Sequence, residues 1–196
     1  MDGHGDHALY AGLLGGLTGG SWLEIYLCRH AVAQEFVRGG DSQRALTTAG
    51  KKDFARAATG LATLKPPIAI IFTSPYVRTR QTAEILVKAL GRPAGAVKGA
   101  RVPIIAVAEL APGGKLELLL ERLKSQKRRP PAILAVGHEP DLSRFLGQLC
   151  FGEAGRVRFK KGAIACVKLD INLDQGELRF LMQPKQFMAL AHSETL

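Results

Sequence analysis

The chain has 196 residues, 46% of them apolar and 6% aromatic, which is ordinary for a soluble globular protein with one domain and a sizeable core. No uninterrupted apolar stretch approaches the roughly 20 residues that a membrane helix needs, so no membrane partner is expected. Lys and Arg exceed Asp and Glu by 27 to 17, a formal charge of +10 that favours anionic partners. No nucleic-acid motif accompanies the charge, and no nucleic-acid partner is expected.

Residues 1–21 carry Gly3, Gly5, Gly12, Gly15, Gly16, Gly19 and Gly20 and lack the basic region of a secretory signal, so they read as a flexible extension. His4 and His7 within it are too isolated to predict a metal site. Residues 22–196 read as one domain in which strand and helix patterns alternate. A strand is predicted over Leu23–Cys28, then a helix that Thr47 or Thr48 can cap and that runs to about Leu64. Pro66-Pro67 punctuate the turn into a buried strand, Ile68–Phe72. Ser74-Pro75 has the order of a cap followed by a first-turn proline and opens a helix to Leu90, with Gly91 as its stop.

Further along, a third strand is predicted over Val102–Ala108 and a third helix over Leu116–Lys127. A fourth strand, Ala132–Val136, leads into a helix from Pro140 to Cys150. Ala163–Leu169 and Glu177–Met182 flank Asp174-Gln175-Gly176 as an antiparallel hairpin. The pattern predicts an α/β domain of three layers, with a mostly parallel sheet, helices on both faces and a C-terminal hairpin. Cys28, Cys150 and Cys166 are too few and too scattered for a disulfide framework or a zinc site. Buried free thiols fit a reducing compartment, so a cytoplasmic location is expected.

The chemistry concentrates at strand ends. The apolar run from Trp22 to Cys28 stops at Arg29-His30, where open α/β sheets place their ligands. Arginine donates two parallel hydrogen bonds to a phosphoryl group, and histidine can carry a phosphoryl group covalently. Arg78 falls in the first turn of its helix, where a cation is unfavourable unless an anion shares the site; the alternative is a surface arginine, which suits Arg80 better. His138 follows its strand as His30 follows its own, and both can face one pocket. Glu109, also at a strand end, is open to two readings: a partly desolvated general acid, or an ion-pair partner of an arginine.

These segments, in this order and spacing, resemble the histidine phosphatase superfamily, the phosphoglycerate mutase-like group named for an Arg-His-Gly motif. The resemblance rests on Leu27-Cys28-Arg29-His30, Arg44 through Gly50, Ser74-Pro75 with Arg78 and Gln81-Thr82-Ala83, Glu109 through Gly113, and Val136 through Pro140. Lys161-Gly162-Ala163-Ile164-Ala165 is similar to the small phosphohistidine phosphatase branch, and the match spans about residues 23 to 185. The resemblance implies a phosphoglycerate mutase-like fold. It makes His30 the nucleophile, with Arg29, Arg78 and His138 holding the phosphoryl oxygens and Glu109 where relatives keep their acid. Ala31 replaces the motif glycine, which bears on local loop geometry. Arg44 lies near the pocket by analogy only.

The expected mechanism is in-line attack by neutral His30, with Arg29, Arg78 and a protonated His138 neutralising the equatorial oxygens, then hydrolysis of the phosphoenzyme. No metal and no cofactor are expected. The expected substrate is phosphohistidine on a histidine-containing phosphotransfer protein. A phosphatase for a small phosphometabolite and a non-catalytic phosphate-binding module are the alternatives.

Overall fold

The computed structural model describes residues 22–91, 100–124, 129–153, 157–170 and 172–193. The glycine-rich residues 1–21, with His4 and His7, lie outside them. Six strands, β1 (Leu23–Arg29), β2 (Ile68–Thr73), β3 (Ile104–Ala106), β4 (Ala132–Gly137), β5 (Ile164–Leu169) and β6 (Gly176–Met182), form one sheet in the order β3-β2-β4-β1-β5-β6. Strands β3, β2, β4 and β1 run parallel to one another, while β5 is antiparallel to β1 and forms the expected hairpin with β6.

Both faces of the sheet are buried, and the period-2 alternation of β1 shows how. Leu23, Ile25 and Leu27 enter one core, while Tyr26 and Cys28 enter the other. The first core is covered by α3 (Leu116–Lys124) and α4 (Asp141–Phe151). Their apolar stripes are Leu116, Leu119, Leu120 and Leu123, and Leu142, Phe145, Leu146 and Leu149, each at i, i+3, i+4, i+7. The second core is covered by α1 (Thr48–Thr63), α2 (Val77–Leu90) and α5 (Pro184–Ser193). Phe54, Ala57, Ala58 and Leu61 form the buried stripe of α1. Cys28 and Cys166 are buried thiols, as expected, and burial pushes both up, Cys166 to about 12.

The expected helix starts and stops hold in part. Thr47 caps α1, its hydroxyl accepting from Gly50 N at 2.9 Å, and Gly91 ends α2 with φ 68°. Ser74 does not cap α2: the N-cap is Tyr76, and Ser74 is turned into the site described below. Strand β3 is only Ile104–Ala106, shorter than Val102–Ala108, because its one partner is β2 at the sheet edge. Helix α3 is described to Lys124, and the expected residues 125–127 lie outside the described segments.

Sequence reading missed α5. Its start carries a legible signal: Pro184 is its first residue, and the Gln186 side chain reaches back to accept from Gln183 N at 2.6 Å, half of a capping box. What holds the helix is tertiary. Phe187 is fully buried, and its backbone lies against Gly60 of α1, leaving no room there for a Cβ.

Gly60→Ala is therefore expected to destabilise the fold by about 1–3 kcal/mol through overpacking at the α1–α5 contact. Urea unfolding checks this, with Thr59→Ala on the exposed side of α1 as the control; equal midpoints for wild type and Gly60→Ala would refute the close approach.

Candidate active site

The register of the sheet brings the site together. Arg29, the last residue of β1, is opposite Gly137, the last of β4. The ladder extends one step further, with His30 N donating to Gly137 O at 3.1 Å. His30 and His138 thus follow neighbouring parallel strands at the same level, and their ring centroids are 5.2 Å apart. Strand β2 flanks β4 on the other side and contributes Ser74, whose N donates to Val136 O. Both histidines are buried, at 6% and 4% exposure.

Hydrogen bonds assign the protons of both rings. His30 Nδ1 lies 2.7 Å from Ala31 O; a carbonyl can only accept, so Nδ1 carries the hydrogen and the Nε2 lone pair is left free. His138 Nδ1 lies 3.3 Å from Arg78 Nη2, and a guanidinium can only donate, so His138 Nδ1 accepts. Its proton is then on Nε2, donated to Ser74 Oγ at 3.0 Å. His138 is a neutral ring in this arrangement.

Electrostatics agree. Burial lowers the His30 pKa to about 4, aided by Arg78, Arg29 and Lys161 and opposed by the bond to Ala31 O. Burial, then the His30 ring and Arg78, lowers His138 to about 3. Neutral His30 suits a nucleophile. The protonated His138 expected from the sequence is disfavoured before an anion binds, because desolvation, then the His30 ring and the Arg78 and Arg29 charges lower its pKa, with Asp41 opposing them.

Arg78 sits in the first turn of α2, 4% exposed, where the sequence reading placed it. Its fork is aimed by Asp41: Nη1 donates to Asp41 O at 2.6 Å and Nη2 to Asp41 Oδ2 at 2.8 Å. The guanidinium also lies over the Tyr76 ring, 4.8 Å from its centroid. Arg44 bonds the other Asp41 oxygen at 2.7 Å, so it acts on the site through Asp41. These bonds, from Arg44 first and then Arg78, hold the Asp41 carboxyl below the usual carboxylate range. Asp41 escaped the sequence reading. Its signals were the Gly39-Gly40 turn before it and its i, i+3 spacing from Arg44.

On the other side, Arg29 Nη1 donates to Phe159 O at 2.7 Å. The Nε–H groups of both Arg29 and Arg78 are buried and have no hydrogen-bond partner among the described residues. Glu139 beside Arg29 accepts from Ser143 Oγ at 2.5 Å through Oε2, while its Oε1 is buried and unpaired. Burial raises the Glu139 pKa, opposed by Ser143 and by the Arg29 charge.

Ala31, in the place of the motif glycine, is 2% exposed and donates its N–H to Thr82 Oγ1 at 3.1 Å. Among the described residues only Lys65 and Leu173 combine positive φ with a side chain, so the Ala31 methyl is carried without backbone strain. Glu109 lies in a short 3-10 turn (Ala108–Leu110) after β3, 9% exposed, and its carboxylate is 2.5 Å from Arg122 Nη2 of α3. Of its two sequence readings, the ion pair is the contact present.

The fold and this pair of histidines set among arginines define a histidine phosphatase. Residues 25–101 match the model of the histidine phosphatase superfamily (branch 1), and the chain belongs to that superfamily and is a phosphatase. Its relatives place it in the small phosphohistidine phosphatase branch. An uncharacterized protein of Picosynechococcus sp. (strain ATCC 27264 / PCC 7002 / PR-6) is 33% identical over 174 residues, covering 83% of this chain and 98% of the relative. Phosphohistidine phosphatase SixA of Escherichia coli (strain K12) is 29% identical over 163 residues, covering 83% and 94%. The structure of the protein histidine phosphatase SixA complexed with tungstate superposes with a TM-score of 0.70 at 28% identity, over 83% of this chain and 98% of that one. The phosphoglycerate mutase-like fold expected from the sequence is the one found.

The lowered histidine pKa values fix a pH dependence of stability. Between about pH 6.5, the ordinary value, and about 4 for His30 or about 3 for His138, the unfolded chain binds protons that the folded chain does not. Stability contributed here is full above that window and falls as pH drops through it. Replacing both histidines by Asn is expected to flatten the drop in the urea midpoint between pH 7 and pH 4.5; parallel curves for wild type and the double variant would contradict the buried neutral rings.

Proposed function

We propose that this phosphatase hydrolyses phosphohistidine carried by a protein, a histidine-containing phosphotransfer domain, in a cytoplasmic signalling pathway, through a covalent phosphohistidine on His30. The observation that carries the reading is the free Nε2 of neutral His30 beside two arginines with unpaired buried Nε–H groups. Such a constellation pairs a nucleophile with donors that an oxyanion satisfies. The likeness to the protein histidine phosphatase SixA complexed with tungstate supports it, since tungstate is, like phosphate, a tetrahedral oxyanion.

In this reading the His30 Nε2 lone pair forms a bond to phosphorus while the bond from phosphorus to the substrate imidazole breaks. The imidazole keeps that electron pair. When its other ring nitrogen already carries a proton, it departs as neutral imidazole and needs no acid. Phosphorylated His30 becomes an imidazolium, and Ala31 O accepts from its Nδ1–H, stabilising the positive charge. Water then attacks phosphorus, the pair returns to Nε2, and the proton of the water leaves with the phosphate. Arg29 and Arg78 hold the equatorial oxygens throughout. The incoming phosphoryl dianion also favours a proton on His138, so His138 joins these donors only once substrate is bound.

The role left to Glu109 follows from the leaving group. A phosphate ester expels an alkoxide that needs a proton, whereas protonated phosphohistidine does not. Glu109→Gln is expected to lower hydrolysis of a small phosphate ester more than hydrolysis of a phosphohistidine protein; equal losses would remove the acid role.

Phosphate release from a phosphohistidine protein and from a small ester, with wild type and His30→Ala, tests the reading as a whole. Preference for the protein, abolished by the substitution, is expected. Preference for the ester would move the activity to small phosphometabolites, and no turnover of either would favour a phosphate-binding module.

A further inference from the structure

Two cavities flank the loop before β5, and each is lined by a residue next to His30, Arg29 in one and Ala31 in the other. One, about 640 Å³, has Arg29, Arg158 and Phe159 in its wall. The other, about 670 Å³, reaches from Ala31 to the start of α5 and is lined by Phe54, Pro184, Lys185 and Met188. They share Val32, Lys160 and Lys161, so a lysine pair forms the ridge between them. Lys161 is near enough to His30 for its charge to lower that pKa. Of the acidic residues lining the two cavities, Asp53 is exposed and Glu139 is turned inward onto Ser143. Arg158, Lys160 and Lys185 are exposed.

The chain that leaves His30 adds apolar surface. Val32, Phe36 and Val37 are 44%, 95% and 37% exposed, close together in sequence and immediately beyond the nucleophile. Single exposed apolar residues need no explanation, but three in one segment, beginning with Val32 in the wall of both cavities, offer an anchor to a partner. A small phosphometabolite would have no use for such a rim. A folded protein presenting its phosphohistidine would cover it.

Resting on the phosphohistidine reading above, we propose that the ridge of Lys160 and Lys161, with Lys185 and the exposed segment carrying Val32 and Phe36, is the docking surface for the protein substrate. The partner it fits is a folded domain whose phosphohistidine projects from an acidic surface with apolar residues beside it. Acidic groups around the phosphohistidine would meet the lysines, and an apolar neighbour would meet Phe36. Charges at the rim of an interface act mainly on encounter and on salt dependence.

The test uses the full chain with two substrates: an acidic phosphotransfer domain phosphorylated on histidine, and phosphoimidazole, which carries the same bond and no docking surface. For Lys160→Glu with Lys185→Glu, kcat/KM on the phosphoprotein is expected to fall about tenfold through KM, with a shallower dependence on ionic strength. Turnover of phosphoimidazole should match wild type, which also shows that the variant is folded. Phe36→Ser should raise KM for the phosphoprotein without changing the salt slope. Unchanged phosphoprotein kinetics, or equal losses on both substrates, would overturn the docking surface. Wild type that cleaves phosphoimidazole but ignores the phosphoprotein would overturn the substrate reading, and the docking surface with it, before any variant is made.

Discussion

Pairing of β1 with β4, parallel and in register to the last residue of each, is the constraint on which the site depends. Arg29 faces Gly137 and a histidine follows each, so the two imidazoles meet although they lie 108 positions apart in sequence. A slip of one residue would turn one ring to the opposite face of the sheet. The register is held by the burial of both faces: Ala132 to Gly137 is buried at every position, so any slip exposes apolar surface and opens the ladder on both sides.

The price of that placement is electrostatic. Two imidazoles and the Arg29 and Arg78 guanidiniums share a buried corner of the sheet, so both rings stay neutral. Among the described residues Asp41 alone pairs with Arg78 as a counter-charge, and it comes from outside the sheet. The same crowding suits a phosphatase. In the proposed reading a dianionic phosphoryl group relieves the crowding, and the Nε–H groups that lack a partner among the described residues are donors fixed in advance by Phe159 O and Asp41.

Helix α2 shows how one element serves both core and site. Its buried face runs from Arg78 and Thr79 through Thr82 to Ala83 and Leu86, polar at the sheet's carboxyl edge and apolar below. Thr82 ties the helix to the loop after His30 through Ala31 N, and its hydroxyl donates in turn to Arg78 O at 2.7 Å. The arginine, the loop after His30 and the helix start are therefore held as one unit.

Much of this was legible in the chain. Strand periodicity, proline and glycine punctuation and the Thr47 cap are local, so they gave the α/β alternation, the hairpin, the strand-end positions of Arg29, His30 and His138 and the helix-start position of Arg78. What remained illegible depends on residues far apart. Asp41, Ser74 and Thr82 become site residues only when their loops and helix dock beside β1 and β4. The α5 helix depends on Gly60, more than 120 residues earlier, to admit Phe187. The lowered pKa of His138 comes from its burial beside His30 and Arg78, which no local pattern shows. The Arg122 partner of Glu109 appears only when α3 packs beside the turn after β3. The sequence by itself determined which chemical groups stand at the strand ends, since local patterning sets where strands stop. Tertiary structure alone decided their partners, protonation and surroundings, since these come from packing and desolvation between segments remote in the chain.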